Sequence, residues 1–308
     1  MPKKILLIGR ASVGKTSIKK TIFEGENSKD LIIHPLEPTR GITSSIYSWM
    51  DLELAIFDTS GQELPFLLQD EKKQIKAFDN ADIIIYVFDY PSWASDSQEI
   101  KEEIKEIENL ISRNYIEAKF LLFFHKIDLI NKKFRERLNL LKNQIQEILN
   151  LPEIKKIYFT SIHPLLIYNT YNAFSEILSG FLRETSDLKH ILDNIVKDFP
   201  KTMGFITSKN NSIIVQTEIN DFDINLINQL HAKIHEISQS TEDETLISKK
   251  INYIDLGSKI LSVIKDDLKH FNPNFKNLII FSESFTKDNL NLLLDNLERE
   301  FNKYYNKK

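Results

Sequence analysis

Gly9-Arg-Ala-Ser-Val-Gly-Lys-Thr16 has the spacing G-x-x-x-x-G-K-T, that of a loop that cradles nucleotide phosphates. The two glycines let backbone N–H groups turn inward around an anion. Lys15 can reach β- and γ-phosphates, and the Thr16 hydroxyl can ligate Mg²⁺. Gly9, Ala11, Ser12, Val13, Gly14, Lys15, Thr16 and Ser17 are therefore candidate phosphate-binding positions. The plainer alternative is an ordinary glycine turn between a strand and a helix. A second acidic motif, Asp58-Thr-Ser-Gly-Gln62, reads D-x-x-G-Q. Asp58 can hold a Mg²⁺ shell through water, the Gly61 N–H can contact a γ-phosphate, and Gln62 can orient an attacking water. Thr39, after Pro38, is the candidate second Mg²⁺ hydroxyl, 19 positions ahead of Asp58 (58 minus 39). Thr43 competes with it but sits close to a strand. Catalytic roles fall to Lys15, Thr39 and Gln62. Arg40 reads as an internal arginine finger or, more simply, as a solvated loop charge.

His125-Lys-Ile-Asp128 bears on the base. A carboxylate at a strand end accepts both the ring N–H and the exocyclic amine of guanine. Adenine offers no such pair and leaves the carboxylate unpaired, at a cost of several kcal/mol. Lys126 can lie along the base face, and Ser161 and Ile162 can offer backbone N–H groups to the guanine oxygen.

These residues need elements that bring them to one edge. Ile5–Ile8 reads as a buried strand feeding the glycine loop, and Thr16–Phe23 as the helix after it. Glu24–Pro38 reads as irregular chain. Strands follow at Thr43–Trp49 and Leu52–Phe57, with a turn at Met50-Asp51, so Asp58 stands at a carboxyl edge, where α/β sheets bind ligands. Ile83–Asp89 is near-continuously apolar, as a doubly covered parallel strand requires. Ile100, Ile104, Ile107 and Ile111 recur at helical spacing. Phe120–Phe124 is a strand ending in His125; Phe134, Leu138, Leu141, Ile145 and Ile148 mark a helix. Lys156–Phe159 is a last strand, and a helix over Leu166–Leu182 closes the unit. The alternation implies a parallel sheet with right-handed crossovers.

The 308 residues, 42% of them hydrophobic, suffice for two domains. Net charge is −4, with 40 basic against 44 acidic residues, so no basic footprint for nucleic acid is present. The absence of Cys excludes disulfides, Cys-ligated zinc and a thiol nucleophile, and fits a cytoplasmic setting. No apolar run is long enough to span a membrane, and Lys3-Lys4 leads straight into a short strand where a signal peptide would have an apolar region. Pro2 rules out a myristoyl signal and no C-terminal Cys is available for prenylation. The expectation is no lipid anchor and no direct membrane insertion, with any membrane recruitment peripheral and through a partner.

Gly9–Thr16, Pro38-Thr39, Asp58–Gln62 and His125–Asp128, in this order, resemble the motifs of the Ras superfamily of small GTPases. His in the first place of the base motif resembles the Rag (Gtr) family, as do Gly14-Lys-Thr-Ser17 leading to Ile22-Phe23, Thr160-Ser-Ile162, and the Tyr171–Ser175 helix. The resemblance implies GTP/GDP and Mg²⁺ as ligands and a P-loop, mostly parallel six-stranded α/β sheet with helices on both faces over residues 1–183. Ala11 departs from the Ras pattern, which has Gly there; its Cβ crowds Gln62 and suggests slow hydrolysis awaiting a partner. Thr39-Arg-Gly-Ile42 is closer to the corresponding loop of Gα and Arf proteins.

Arg183–Ser186 reads as a short polar joint, and residues 187–308 as a second domain. Leu188–Val196 forms a short amphipathic helix, and Thr202–Thr207 and Ser212–Gln216 flank a hairpin turn at Lys209-Asn-Asn211. A helix over Asp221–Ser238 and the polar loop Ser240–Thr245 come next. Strands at Ile251–Leu256, Ile260–Ile264 and Leu278–Phe281, the first two joined at Gly257-Ser258, lead to a final helix over Lys287–Phe301. Asn302–Lys308 reads as a frayed end. This order resembles the smaller α+β roadblock (longin-like) domain of Rag proteins, with a five-stranded antiparallel sheet. It implies a homo- or heterodimer through this domain, roadblock-type scaffold partners, and activating or exchange factors. His231 and His235, at i and i+4, are a possible metal pair but more simply solvated or interface histidines. Two readings follow: a GTP-hydrolysing switch, or an adaptor that holds guanine nucleotide and barely turns it over. An ATPase or small-molecule kinase is a third.

Overall fold

The computed structural model describes residues 2–34, 36–49, 52–130, 143–145, 147, 157–181, 183–208, 213–217, 230, 234, 251–255, 260–283 and 287–306. It divides into two compact units, 1–170 and 171–308.

The first unit is built on a six-stranded sheet in the order β2-β3-β1-β4-β5-β6. Its strands are β1 (Lys3–Ile8), β2 (Ile42–Trp49), β3 (Leu52–Thr59), β4 (Ile83–Asp89), β5 (Lys119–His125) and β6 (Ile157–Phe159). All pairings are parallel except the β2–β3 hairpin, in which Thr43 faces Asp58. All seven β4 residues are buried, which accounts for an unbroken apolar run where an alternating one would serve a half-exposed strand. β1 lies between β3 and β4, so the chain leaving β1 emerges at the point where connections diverge to opposite sides of the sheet. That crevice, at the strands' carboxyl ends, is where open α/β sheets hold ligands.

Helix α1 (Lys15–Phe23) follows the glycine loop. The stretch expected to be irregular contains helix α2 (Ser28–Ile33), capped by Asn27, whose Oδ1 accepts from the Lys29 N–H at 3.0 Å. After β3 come a short 3-10 turn (Gly61–Glu63), α3 (Leu64–Gln69) and α4 (Glu71–Phe78). Asp70 caps α4 by accepting from the Lys72 and Lys73 N–H groups. α5 (Tyr90–Arg113) buries Ile100, Ile104 and Ile107 as the periodicity requires, but breaks helical geometry at Asp96 (φ −136°, ψ 38°). The expected helix around Phe134–Ile148 falls almost wholly outside the described residues; Ile145 is helical and buried. α6 (Ile167–Ser179) crosses the division between the units.

The second unit holds a five-stranded antiparallel sheet, order β8-β7-β11-β10-β9. The strands are β7 (Thr202–Ser208), β8 (Ile213–Gln216), β9 (Ile251–Asp255), β10 (Ile260–Asp267) and β11 (Phe275–Ser282). Residues 183–186, expected as a polar joint, open helix α7 (Arg183–Val196). The expected hairpin turn at 209–211, the loop at 240–245, the Gly257-Ser258 turn and the His231/His235 pair lie outside the described residues. Of the helix expected over 221–238, Leu230 and Ile234 are described, helical and buried. The terminal helix α8 (Lys287–Tyr305) runs past Phe301, so the tail does not fray where polarity suggested. Tyr304 and Tyr305 donate to Asp187 (3.3 Å) and Glu184 (2.9 Å) on α7, and Tyr305 stacks on Phe271 at 4.9 Å. Among the described residues, no helix is long and apolar enough to cross a membrane.

Candidate functional site

Gly9 leaves β1 at φ 144°, and a Cβ there would stand 2.1 Å from the Val87 carbonyl oxygen. Only glycine lets the loop turn off the strand so close to β4. The loop passes Ser12 in the left-handed region (φ 61°) and reaches Gly14 at φ 101°, the N-terminal cap of α1. Lys15 is buried, its Nζ donating to the Gly9 and Arg10 carbonyl oxygens at 2.9 and 2.8 Å. Burial pulls its pKa down to about 8, against the Asp58 carboxylate, which acts the other way. Such an ammonium gains from any anion brought beside it. Val13 points its side chain into the core, so its part in the loop is backbone only.

At the end of β3, Asp58 is fully buried. Its Oδ2 accepts from the Thr16 hydroxyl at 2.5 Å and the Thr39 hydroxyl at 3.3 Å, and the two hydroxyl oxygens lie 2.8 Å apart. Thr43 instead donates to the Asp58 backbone carbonyl at 3.4 Å. The structure thus brings Thr39, not Thr43, to the carboxylate. The Asp58 Oδ1 is buried with no hydrogen-bond partner among the described residues. Two hydroxyls and an orphaned carboxylate oxygen form an all-oxygen donor set, the chemistry that suits Mg²⁺. The Gly61 backbone lies flush against the glycine loop, where a Cβ would stand 2.2 Å from the Ala11 nitrogen. Gln62 is exposed beside it and lines the same cavity as Ala11, Ser12 and Ser17.

At the other end of the cavity, His125 is buried, its Nδ1 2.9 Å from the Thr160 hydroxyl and its ring facing Gly14. A Cβ on Gly14 would come within 2.7 Å of that ring. Burial, with Lys126 adding to it, pulls the imidazole down to about 4, against Asp128 and Asp89. The ring is therefore neutral near pH 7 and braces the loop from below. Lys126 (φ 56°) spans the loop, its Nζ donating to the Ser12 carbonyl at 2.5 Å and to Asp89 Oδ2 at 2.7 Å. Burial works against the Asp89 charge, but hydrogen bonds from Lys126 and Ser92 outweigh it and hold its carboxyl below the usual range. Asp128 Oδ1 accepts from the Ser161 hydroxyl. The Ser161 N–H, expected to face a base oxygen, instead donates to the Thr170 hydroxyl at 3.1 Å, so Ser161 contributes through the Asp128 carboxylate it orients. Ile162 lines the cavity, and its N–H has no acceptor among the described residues.

One cavity of about 400 Å³ joins these groups, from Ala11, Gly61 and Gln62 past Lys15, Thr16 and Thr39 to Asp128 and Ile162. Gly9, Val13 and Asp58 shape it without lining it. Leu31, Ile32 and Leu36 also line it, and no motif marked them. Sequence reasoning also missed Asp89, although its place at the end of a buried strand was a usable signal. Arg10 was missed too, as a variable position inside the loop motif. Its guanidinium meets three carboxylates on α5: Glu103 (Nε, 2.9 Å), Glu99 (2.8 Å) and Asp96 (3.4 Å).

The Gtr1/RagA G protein conserved region matches residues 4–247. Ras-related GTP-binding protein A of Dictyostelium discoideum is 32% identical over 205 residues, 64% of each chain. GTP-binding protein GTR2 of Saccharomyces cerevisiae is 25% identical over 232 residues, 72% of this chain and 63% of that protein. The chain thus spans somewhat less than two thirds of these relatives' length. A looser likeness joins it to the Arl6 small GTPase of Trypanosoma brucei, at 18% identity and TM-score 0.40, covering 59% of this chain and 99% of that one.

Proposed function

The chain belongs to the Gtr1/RagA G protein family of the Ras superfamily, and on that premise we propose that it is a switch that binds GTP and hydrolyses it. The observation that carries this reading is the meeting of Thr16, Thr39 and the half-satisfied Asp58 carboxylate beside Lys15, in one cavity with Asp128. Asp128 would take the guanine edge, the Ser161 hydroxyl holding its carboxylate in place. Lys15 and the loop N–H groups would take the phosphates. Thr16, Thr39 and, through water, Asp58 would hold Mg²⁺, which supplies charge neutralisation at the phosphates when bound. Gln62 would orient the attacking water. Leu36–Ile42 and Gly61–Leu67 carry Thr39, Gly61 and Gln62 to the cavity, and are the segments that a γ-phosphate would order and its loss release.

The second unit is proposed as a roadblock-like domain for dimerisation, homo- or heterotypic, and for recruitment to a scaffold. Supporting this are its sheet order and the sequence of described elements, α7, β7–β8, β9–β11, α8. We assign the function to a chain with a G domain over residues 1–183 and the dimerisation domain over 187–308, acting in the cytoplasm with activating or exchange factors.

Nucleotide competition tests the base assignment. At equal concentration GTP is expected to displace fluorescent GDP with at least about a hundredfold advantage over ATP, the size of preference expected when the Asp128 carboxylate loses its hydrogen bonds to the base edge. Asp128→Asn should erase most of it. Equal competition by ATP would overturn the guanine reading in favour of an ATPase or kinase. Single-turnover hydrolysis separates switch from adaptor. Gln62→Leu should slow cleavage and Ala11→Gly should speed it. No cleavage by the parent chain over hours, unchanged in both variants, would favour the adaptor.

A further inference from the structure

We propose that Arg10 is a positioning residue: tethered to α5, it fixes the Arg10–Ala11 peptide and so controls how fast guanine nucleotide leaves and is hydrolysed. The inference rests on the GTP-binding reading of the same loop.

The loop motif leaves position 10 unconstrained, yet its side chain is among the most engaged in the unit. Asp96, Glu99 and Glu103 fall on one face of α5, at i, i+3 and i+7, and all three reach the guanidinium. The anchor is itself held. Glu103 also accepts from the hydroxyl of Tyr86, which is buried in β4, and Asp96 Oδ2 accepts from the Ser95 hydroxyl at 2.7 Å. The bend in α5 occurs at Asp96, one of the three carboxylates. Surface ion pairs are worth little because water screens them. Here the Arg10 and Glu103 side chains are each only 19% exposed, so that pair is the sheltered one, while Asp96 and Glu99, 44% and 69% exposed, add contacts through the other two nitrogens. A planar fork held at three points restricts the backbone that carries it.

That backbone is the junction of the site. The Arg10 carbonyl accepts from Lys15 Nζ at 2.8 Å. The Gly61 backbone packs on the same peptide, where a Cβ would lie 2.3 Å from the Arg10 carbonyl carbon and 2.2 Å from the Ala11 nitrogen. Lys15, Ala11 and Gly61 therefore take their positions from one peptide unit, and Arg10 sets where that unit sits. A one-ångström misplacement of such groups is enough to change a rate severalfold or more.

The test compares Arg10→Ala, Arg10→Lys, Glu103→Gln and the double variant Arg10→Ala/Glu103→Gln with the parent chain, all full length. Release of fluorescent GDP, single-turnover GTP hydrolysis and thermal melting without nucleotide are measured. Arg10→Ala and Glu103→Gln should each speed release about fivefold, the scale of losing a charge-assisted hydrogen bond that acts partly on the loop. The double variant should be no faster than the faster single, and Arg10→Lys should recover part of the loss. Hydrolysis should slow in the same order while the melt stays near the parent's. Release at the parent's rate in Arg10→Ala, effects that multiply in the double variant, or a melt that falls in step with release would each overturn the proposal. A parent chain that binds guanine nucleotide normally while the variants match it removes this inference alone. A parent chain that binds neither GTP nor GDP removes the functional reading and this one together.

Discussion

Burial weighs heavily on Lys15. Burial favours its neutral form and brings its pKa from 10.5 to about 8. Phosphates would favour the charged form and raise it again. The sign follows: between about pH 8 and 10 free Lys15 is largely neutral, so nucleotide binding must take up a proton, and affinity falls as pH rises above 8, by up to about tenfold per pH unit. Below pH 8 the lysine is already charged and the dependence fades. Calorimetric titration with GDP at pH 8.5, in two buffers of different ionisation heat, measures the uptake directly. Heats that do not depend on the buffer would sink the argument. Much of this residue scale was open to sequence reasoning, because Lys15, Thr16 and Asp128 sit in short motifs whose spacing singled them out, and the fold brings all three to one cavity. The Ser161 N–H was not, since its acceptor is Thr170, nine residues away on the next helix. Neither was Arg10, whose three partners lie 86 to 93 positions along the chain.

Elements were legible where one physical signal dominated. Ile5–Ile8 of β1 and nearly all of β4 are apolar because both their faces are covered, and α5 has its isoleucines at helical spacing. Short helices without such a stripe were harder. α2 and α4 are marked only by their caps, Asn27 and Asp70. β10 ends in Lys265-Asp-Asp267, charges that read as loop but pair with Ile279, Leu278 and Asn277 of β11. At the C-terminus, α8 continues because Tyr304 and Tyr305 find carboxylates on α7, a tertiary gain that outweighs end fraying. Burial, with Glu184 beside it, keeps the Tyr305 phenol protonated far above the usual range, so it acts as a donor at any ordinary pH. Tyr305→Phe keeps the stack on Phe271 and removes the donor, at a cost of about 1 kcal/mol. Amides in the last turn of α8 should then exchange with deuterium about fivefold faster. Unchanged exchange there would mean that the stack alone holds the helix end.

For the whole molecule, the proposed dimer is the property most exposed to test. Light scattering of the full chain at micromolar concentration should give about twice the 36.0 kDa of one chain, and a lone 36.0 kDa species would rule out a stable homodimer. By itself the sequence determined the glycine loop after β1, the acidic motif after β3, the H-K-x-D motif after β5 and the mostly parallel α/β class. These depend on local spacing and on hydrophobic period, both written along the chain. The sequence favoured Thr39 over Thr43, and the tertiary structure showed the contact itself: the Thr39 hydroxyl meets the Asp58 carboxylate, while the β2–β3 pairing sets Thr43 against the Asp58 backbone. The tertiary structure alone showed His125 as a buried brace beneath Gly14. It alone tied Arg10 to α5, a link between residues distant in the chain and adjacent only after the sheet has formed.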